Sequence, residues 1–145
     1  MAETLMTPDI ASTEQLQWLA ICTLDALVEN AGVCALLANQ RQVALFYLPT
    51  LTPSIYAVDN YDPIGKANVL YRGIVGSTAI ENNESGKQTH TAFVASPLFK
   101  QQFLLSSGQC LQQDDVQLKT YQVRVRDNMV QLLVAPEESA WVTQV

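Results

Sequence analysis

The chain has 145 residues, 48% of them apolar and 15% charged, which fits one domain with a real core and excludes a disordered chain. Its formal net charge is −6, and its eight Lys and Arg form no basic run, which argues against a nucleic-acid partner. Cys22, Cys34 and Cys110 are odd in number and widely spaced, so no disulfide framework follows, and free thiols suit the cytoplasm.

Residues 1–15 are polar, carry Pro8 and show no sustained period; Ser12-Thr13-Glu14 has the form of a helix cap, and a mobile extension is expected there. The first residues lack a basic region and a long apolar core, so no signal peptide is expected. Residues 18–22 are a short apolar run fit for a strand. Thr23 then caps one helical turn over 24–28. Residues 33–37 and 42–48 read as a hairpin around the turn Ala38-Asn39-Gln40-Arg41. Those apolar runs are too short to cross a bilayer, and no membrane association is expected.

Pro49 and Pro53 interrupt the chain before a strand over 54–59. A loop at Asp62-Pro63 follows, and residues 70–75 return toward the sheet. Residues 76–87 are rich in Gly, Ser, Asn and Glu and predict an exposed, mobile loop. Residues 91–95 are a strand, Ser96-Pro97 turns the chain, and residues 103–105 continue the sheet before a Gly turn at Gly108. Asp114-Asp115 marks another turn. Tyr121, Val123 and Val125 alternate with Gln122, Arg124 and Arg126, the period of one strand with a wet face. Asp127-Asn128 is a tight turn, and residues 129–134 pair back. The tail after Pro136 is polar apart from Trp141 and predicts no element. Eight or nine short strands with regular turn signals make an all-β antiparallel sandwich or barrel.

Several chemistries are weighed and set aside. Ser96 has no nucleophile-elbow glycines around it, and the single histidine, His90, follows the expected mobile loop. Gly73-Ile74-Val75-Gly76 lacks the third glycine of a dinucleotide fingerprint. Asp114-Asp115 and Glu137-Glu138 read as solvated acids. A Cys3His zinc site is arithmetically available, yet no close cysteine pair supports it.

Two loops carry the strongest signal. Asp62-Pro63-Ile64 precedes Leu70-Tyr71-Arg72-Gly73, and Ser96-Pro97-Leu98-Phe99 precedes Phe103-Leu104-Leu105-Ser106-Ser107-Gly108. Paired Pro loops of this kind resemble the cluster-binding loops of Rieske iron–sulfur domains, which read Cys-Pro-His and Cys-Pro-x-His. All four ligands are replaced here, while both prolines remain. With Ser-Pro-Leu before Lys-Gln-x-Phe, the chain resembles the small subunit of the assimilatory NAD(P)H nitrite reductase.

The resemblance implies a Rieske-type [2Fe-2S] ISP-like antiparallel β-sandwich with a small loop subdomain, cluster-free, over residues 17–135. Residues 1–16 are then an N-terminal extension and 136–145 a C-terminal tail. It implies an accessory role beside a large subunit that carries FAD, an iron–sulfur cluster and sirohaem and uses NAD(P)H to reduce nitrite to ammonium. This chain would bind none of these groups and have no catalytic site. The count by itself excludes a Rieske centre within a single chain, since one histidine cannot supply two imidazoles. The loops are expected to be closed by side-chain contact instead of iron. With Arg72 nearby, they are expected to offer a partner interface at Asp62, Pro63, Ile64, Ser96, Pro97, Leu98, Phe99 and Lys100. The alternative is a cluster-free module of the same fold serving another oxidoreductase.

Overall fold

The computed structural model describes residues 16–81, 86 and 88–138. The expectations for residues 1–15, for most of the tip at 82–87 and for Trp141 lie outside the described residues.

Twelve strands and three short 3-10 turns make up the described chain. The strands are β1 (Gln17–Thr23), β2 (Ala31–Leu36), β3 (Gln42–Tyr47), β4 (Ile55–Asp59), β5 (Tyr61–Asp62), β6 (Ala67–Asn68), β7 (Ile74–Glu81), β8 (Gln88–Ala95), β9 (Gln102–Leu104), β10 (Thr120–Tyr121), β11 (Val123–Arg126) and β12 (Met129–Val134). All pairings between them are antiparallel. They form sheets in the orders β10-β4-β3-β2, β11-β12-β1 and β9-β8-β7, with β5-β6 as a small ribbon.

The first of these sheets is central and buried on both faces. Side chains alternate across a strand, so Val43 and Leu45 face one way and Ala44 and Phe46 the other. The first pair joins a core with Ile21, Cys22, Val130, Leu132 and Val134 from β1 and β12. The second joins a core with Ala92, Val94 and Phe103 from β8 and β9. That double burial explains why residues 43–46 read as an unbroken apolar run.

Several expectations are corrected. Residues 76–81 belong to β7, because Gly76 to Glu81 pair in register with Phe93 to Gln88, so the expected loop is mostly hairpin. The strand expected through residue 125 divides at Gln122: Tyr121 pairs with Ala57 in the central sheet, while Val123 pairs with Leu132 in the terminal one. The tail starts with a 3-10 turn, Pro136–Glu138, whose Glu138 is buried. Its carboxylate accepts hydrogen bonds from the Ala135 N–H at 3.0 Å and from Lys119 Nζ at 3.4 Å.

The helical turn expected over 24–28 is a 3-10 turn, Leu24–Ala26, and Thr23 does not cap it, because its hydroxyl bonds Asp25 instead of a backbone N–H. Other readings hold. The first hairpin turns through 37–41, with Gln40 at φ 71°. Asp127 and Asn128 both take positive φ, the turn that best fits strand twist in a two-residue hairpin.

Candidate partner-docking site

The site grows from the end of β4. Buried Asn60 fixes the start of the first loop. Its Oδ1 accepts the Tyr71 N–H at 2.7 Å, its Nδ2 donates to Gln42 Oε1 at 3.0 Å, and its carbonyl accepts the Leu70 N–H at 3.1 Å. The chain then runs through β5, turns over 63–66 and returns in β6. Asp62 organises the turn: its carbonyl accepts the Lys66 N–H at 2.6 Å, and its Oδ1 accepts the N–H groups of Ile64 at 2.8 Å and Gly65 at 3.0 Å. A carboxylate folding back on its own backbone is what Asp contributes to turns.

The second loop repeats this plan. The Ser96 carbonyl accepts the Lys100 N–H at 3.0 Å, and Ser96 Oγ accepts the Leu98 N–H at 3.2 Å. Lys66 and Lys100, four residues after Asp62 and Ser96, sit at φ 59° and 67°. A non-glycine residue there is costly by about 1 kcal/mol or more. The shared pattern, an Asp or Ser, then Pro, then Lys four residues on, was readable in the sequence.

Side chains lock the loops to each other. Ser96 Oγ donates to Asp62 Oδ2 at 2.6 Å, and Gln101 Nε2 donates to both carboxylate oxygens at 2.8 Å. Asp62, Ser96 and Gln101 are buried. A buried charge without hydrogen bonds would be prohibitive; here five hydrogen bonds from four groups converge on one carboxylate. Leu98 closes the contact over Gly65. A Cβ on Gly65 would collide with Leu98 Cδ1 and stand 2.9 Å from Asp62 Oδ2.

These residues do not fit an iron–sulfur cluster. At the four ligand positions, Ile64 and Phe99 have no donor atom, and Asp62 and Ser96 are bonded to each other. A Rieske centre takes two thiolates and two imidazoles. Cys22 and Cys110 belong to different cores, and Cys34 bonds Gln42. Among the described residues no group of three or more His, Cys, Asp or Glu is placed to hold a metal ion. His90 lies six residues along β8 from Ser96, about 20 Å on an extended strand, beyond reach of its hydroxyl.

Of the eight residues expected at an interface, Asp62 and Ser96 are buried beneath the others. Pro97, Leu98, Phe99 and Lys100 are exposed, Phe99 by 67%, and Pro63 and Ile64 are half-buried. The structure adds Tyr61, Lys66 and Ile74 to the same end. Ile74 is 71% exposed and pairs with Ala95, next to the second loop. Of the eight large apolar side chains exposed among the described residues, Tyr61, Ile74, Leu98 and Phe99 gather here. Exposed Arg72 lies two residues before Ile74.

A family model described as a Rieske-like [2Fe-2S] domain matches residues 17–133. The chain is 39% identical over 116 residues to the nitrite reductase (NADH) small subunit of Escherichia coli K12, covering 80% of this chain and 96% of that one. It is 35% identical over 127 residues to a nitrite reductase [NAD(P)H] large subunit of Klebsiella oxytoca, covering 84% of this chain and 12% of that one. Among solved structures, that of the E. coli protein NirD superposes with a TM-score of 0.64 at 37% identity, covering 82% of this chain and 97% of that chain. The locked loops, the sheet order and these likenesses agree: the chain belongs to the Rieske-like domain family, in the branch of the NAD(P)H nitrite reductase small subunits.

Proposed function

We propose that this chain is the accessory subunit of a cytoplasmic NAD(P)H-dependent nitrite reductase that reduces nitrite to ammonium for nitrogen assimilation. In this reading the large subunit holds the FAD, the iron–sulfur cluster and the sirohaem. This chain brings no redox centre and docks through the loop end, at Pro63, Ile64, Pro97, Leu98, Phe99 and Lys100. Asp62 and Ser96 shape that end from below.

One observation carries the reading. The two loops are joined through side chains although their ligand positions hold Asp62, Ile64, Ser96 and Phe99, and the carboxylate that joins them is buried while Leu98 and Phe99 are exposed. Loops kept rigid without a metal to bind, and tipped with exposed apolar groups, suit recognition. The Klebsiella likeness supports the partner: there a domain similar to this chain occupies part of a protein named as the large subunit. A fused domain faces its partner at high effective concentration.

The test is reconstitution. The large subunit from the same organism is expressed with and without this chain, and co-purification and nicotinamide-dependent nitrite reduction are measured. A complex with raised activity is expected. A large subunit that ignores the chain and works equally well alone would reassign it to another oxidoreductase.

A further inference from the structure

We infer that the partner surface receiving the loop end is an apolar pocket with an acidic rim, that Phe99 enters the pocket, and that Lys66, Arg72 and Lys100 engage the rim. The inference rests on the accessory-subunit reading above and specifies the chemistry of its interface.

Charge is the first argument. The chain has a net charge of −6, with fourteen acids against eight Lys and Arg. Three of those eight cations, Lys66, Arg72 and Lys100, are exposed on or beside the loops. The acid of the loops, Asp62, is buried and surrounded by hydrogen-bond donors. The end therefore presents cations outward and hides its carboxylate, against the sign of the whole molecule. Such a patch is complementary to an acidic surface, and the remaining negative charge disfavours docking in other orientations.

Backbone conformation is the second. Lys66 and Lys100 each occupy a left-handed position that glycine or asparagine takes more readily. Their N–H groups close the turns, a task that needs no side chain. What a lysine adds at each place is a long cation projecting from a rigid turn. Arg72 is steadied in turn: its Nε donates to the Tyr71 hydroxyl at 3.0 Å, and its guanidinium lies 5.6 Å from that ring.

The apolar part has the form of an anchor. Phe99 is 67% exposed at a turn tip whose backbone is fixed by Ser96 and Lys100, so little ordering remains to be done on binding. Ile74 and Leu98 flank it with further apolar surface.

The test measures binding kinetics of the full-length chain to immobilised large subunit carrying its own cofactors, at about 50 and about 300 mM salt. The wild-type association rate should fall about 10-fold or more over that range. Combining Lys66→Glu, Arg72→Glu and Lys100→Glu should slow association about 10- to 100-fold at the lower salt and remove most of the salt dependence. Phe99→Ala should leave association nearly unchanged and speed dissociation about 10-fold or more. Arg126→Glu, on β11 of the terminal sheet, is the control and should change neither rate by more than about 2-fold. Wild-type binding that is blind to salt and to the triple reversal overturns the acidic-rim inference and leaves the accessory-subunit reading in place. Absence of wild-type binding removes both.

Discussion

The decisive residue is Asp62. Two loops from different sheets meet on its carboxylate, and removing it leaves the Ser96 hydroxyl, the Gln101 amide and two backbone N–H groups short of an acceptor. Asp62→Ala is therefore expected to cost about 3 kcal/mol, with Ser96→Ala costing about 1–2 kcal/mol, both read from urea unfolding midpoints. Phe99→Ala should change the same midpoint by less than about 0.5 kcal/mol, because its side chain stands in solvent. The contrast separates residues that hold the loops from residues proposed to meet a partner. Sequence reading reached Asp62 and Ser96 as turn residues in ligand positions. It missed Gln101 as the link between the loops and Gly65 as the seat of Leu98, because contacts between distant loops leave no local period to detect.

A second residue cluster governs the response to pH. The Tyr121 hydroxyl donates to Asp59 Oδ1 at 3.0 Å, and Arg41 grips the same carboxylate at 2.9 and 3.2 Å. Lys119 Nζ lies 4.7 Å from the Tyr121 ring. Burial, followed by the charges of Asp59 and Glu138, pushes the phenol well above its usual range. Above the ordinary phenol value the unfolded chain ionises while the buried hydroxyl keeps its proton, so rising pH favours the unfolded state. Stability is thus fully present below pH ~10, the ordinary phenol value, and is lost as pH rises beyond it. Unfolding at pH 7 and pH 11 should show the loss, and Tyr121→Phe should shrink it at a cost of about 1 kcal/mol at neutral pH.

At the scale of elements, the strands of the central sheet were the most readable, because burial on both faces writes continuous apolar runs. Where the reading failed, tertiary context overrode composition. Residues 76–81 are polar enough for a loop, yet full pairing with β8 holds them as a strand. The alternation through 121–125 is regular, yet Gln122 hands the chain from one sheet to another. The C-terminal turn was invisible because two adjacent acids read as solvent-facing, while the fold buries Glu138 beside Lys119. A chain ending at Ala135 should lose about 1–2 kcal/mol, seen as a lower thermal midpoint. Glu138→Gln should retain about half of that contribution, since the Ala135 N–H keeps an acceptor.

The loops form an element of their own. Gly65→Val would push a branched side chain into Leu98 and Asp62 and pry the loops apart. Partner affinity should then fall at least about 10-fold even if the variant stays folded, measured by titration against the large subunit.

For the whole molecule, the Rieske-like fold carries the two loops on a frame with two cores. The central sheet carries a core on each face, and the loop end rises from β4–β6 on one side and β8–β9 on the other. The two edges of the domain, Gln17 and Val134, pair directly, so both flanking segments leave from neighbouring strand ends on the terminal sheet. A partner engaged at the loops and a chain continuing from the terminal sheet use different sheets of the domain. That arrangement suits both a separate subunit and a fused one.

The most direct measurement compares nitrite-dependent NAD(P)H oxidation by the large subunit alone, with the wild-type chain, and with the Phe99→Ala and Lys100→Glu double variant. The account predicts raised activity and co-purification with wild type, and both largely lost with the folded double variant. Equal activity in all three cases, with no complex isolated, would contradict it.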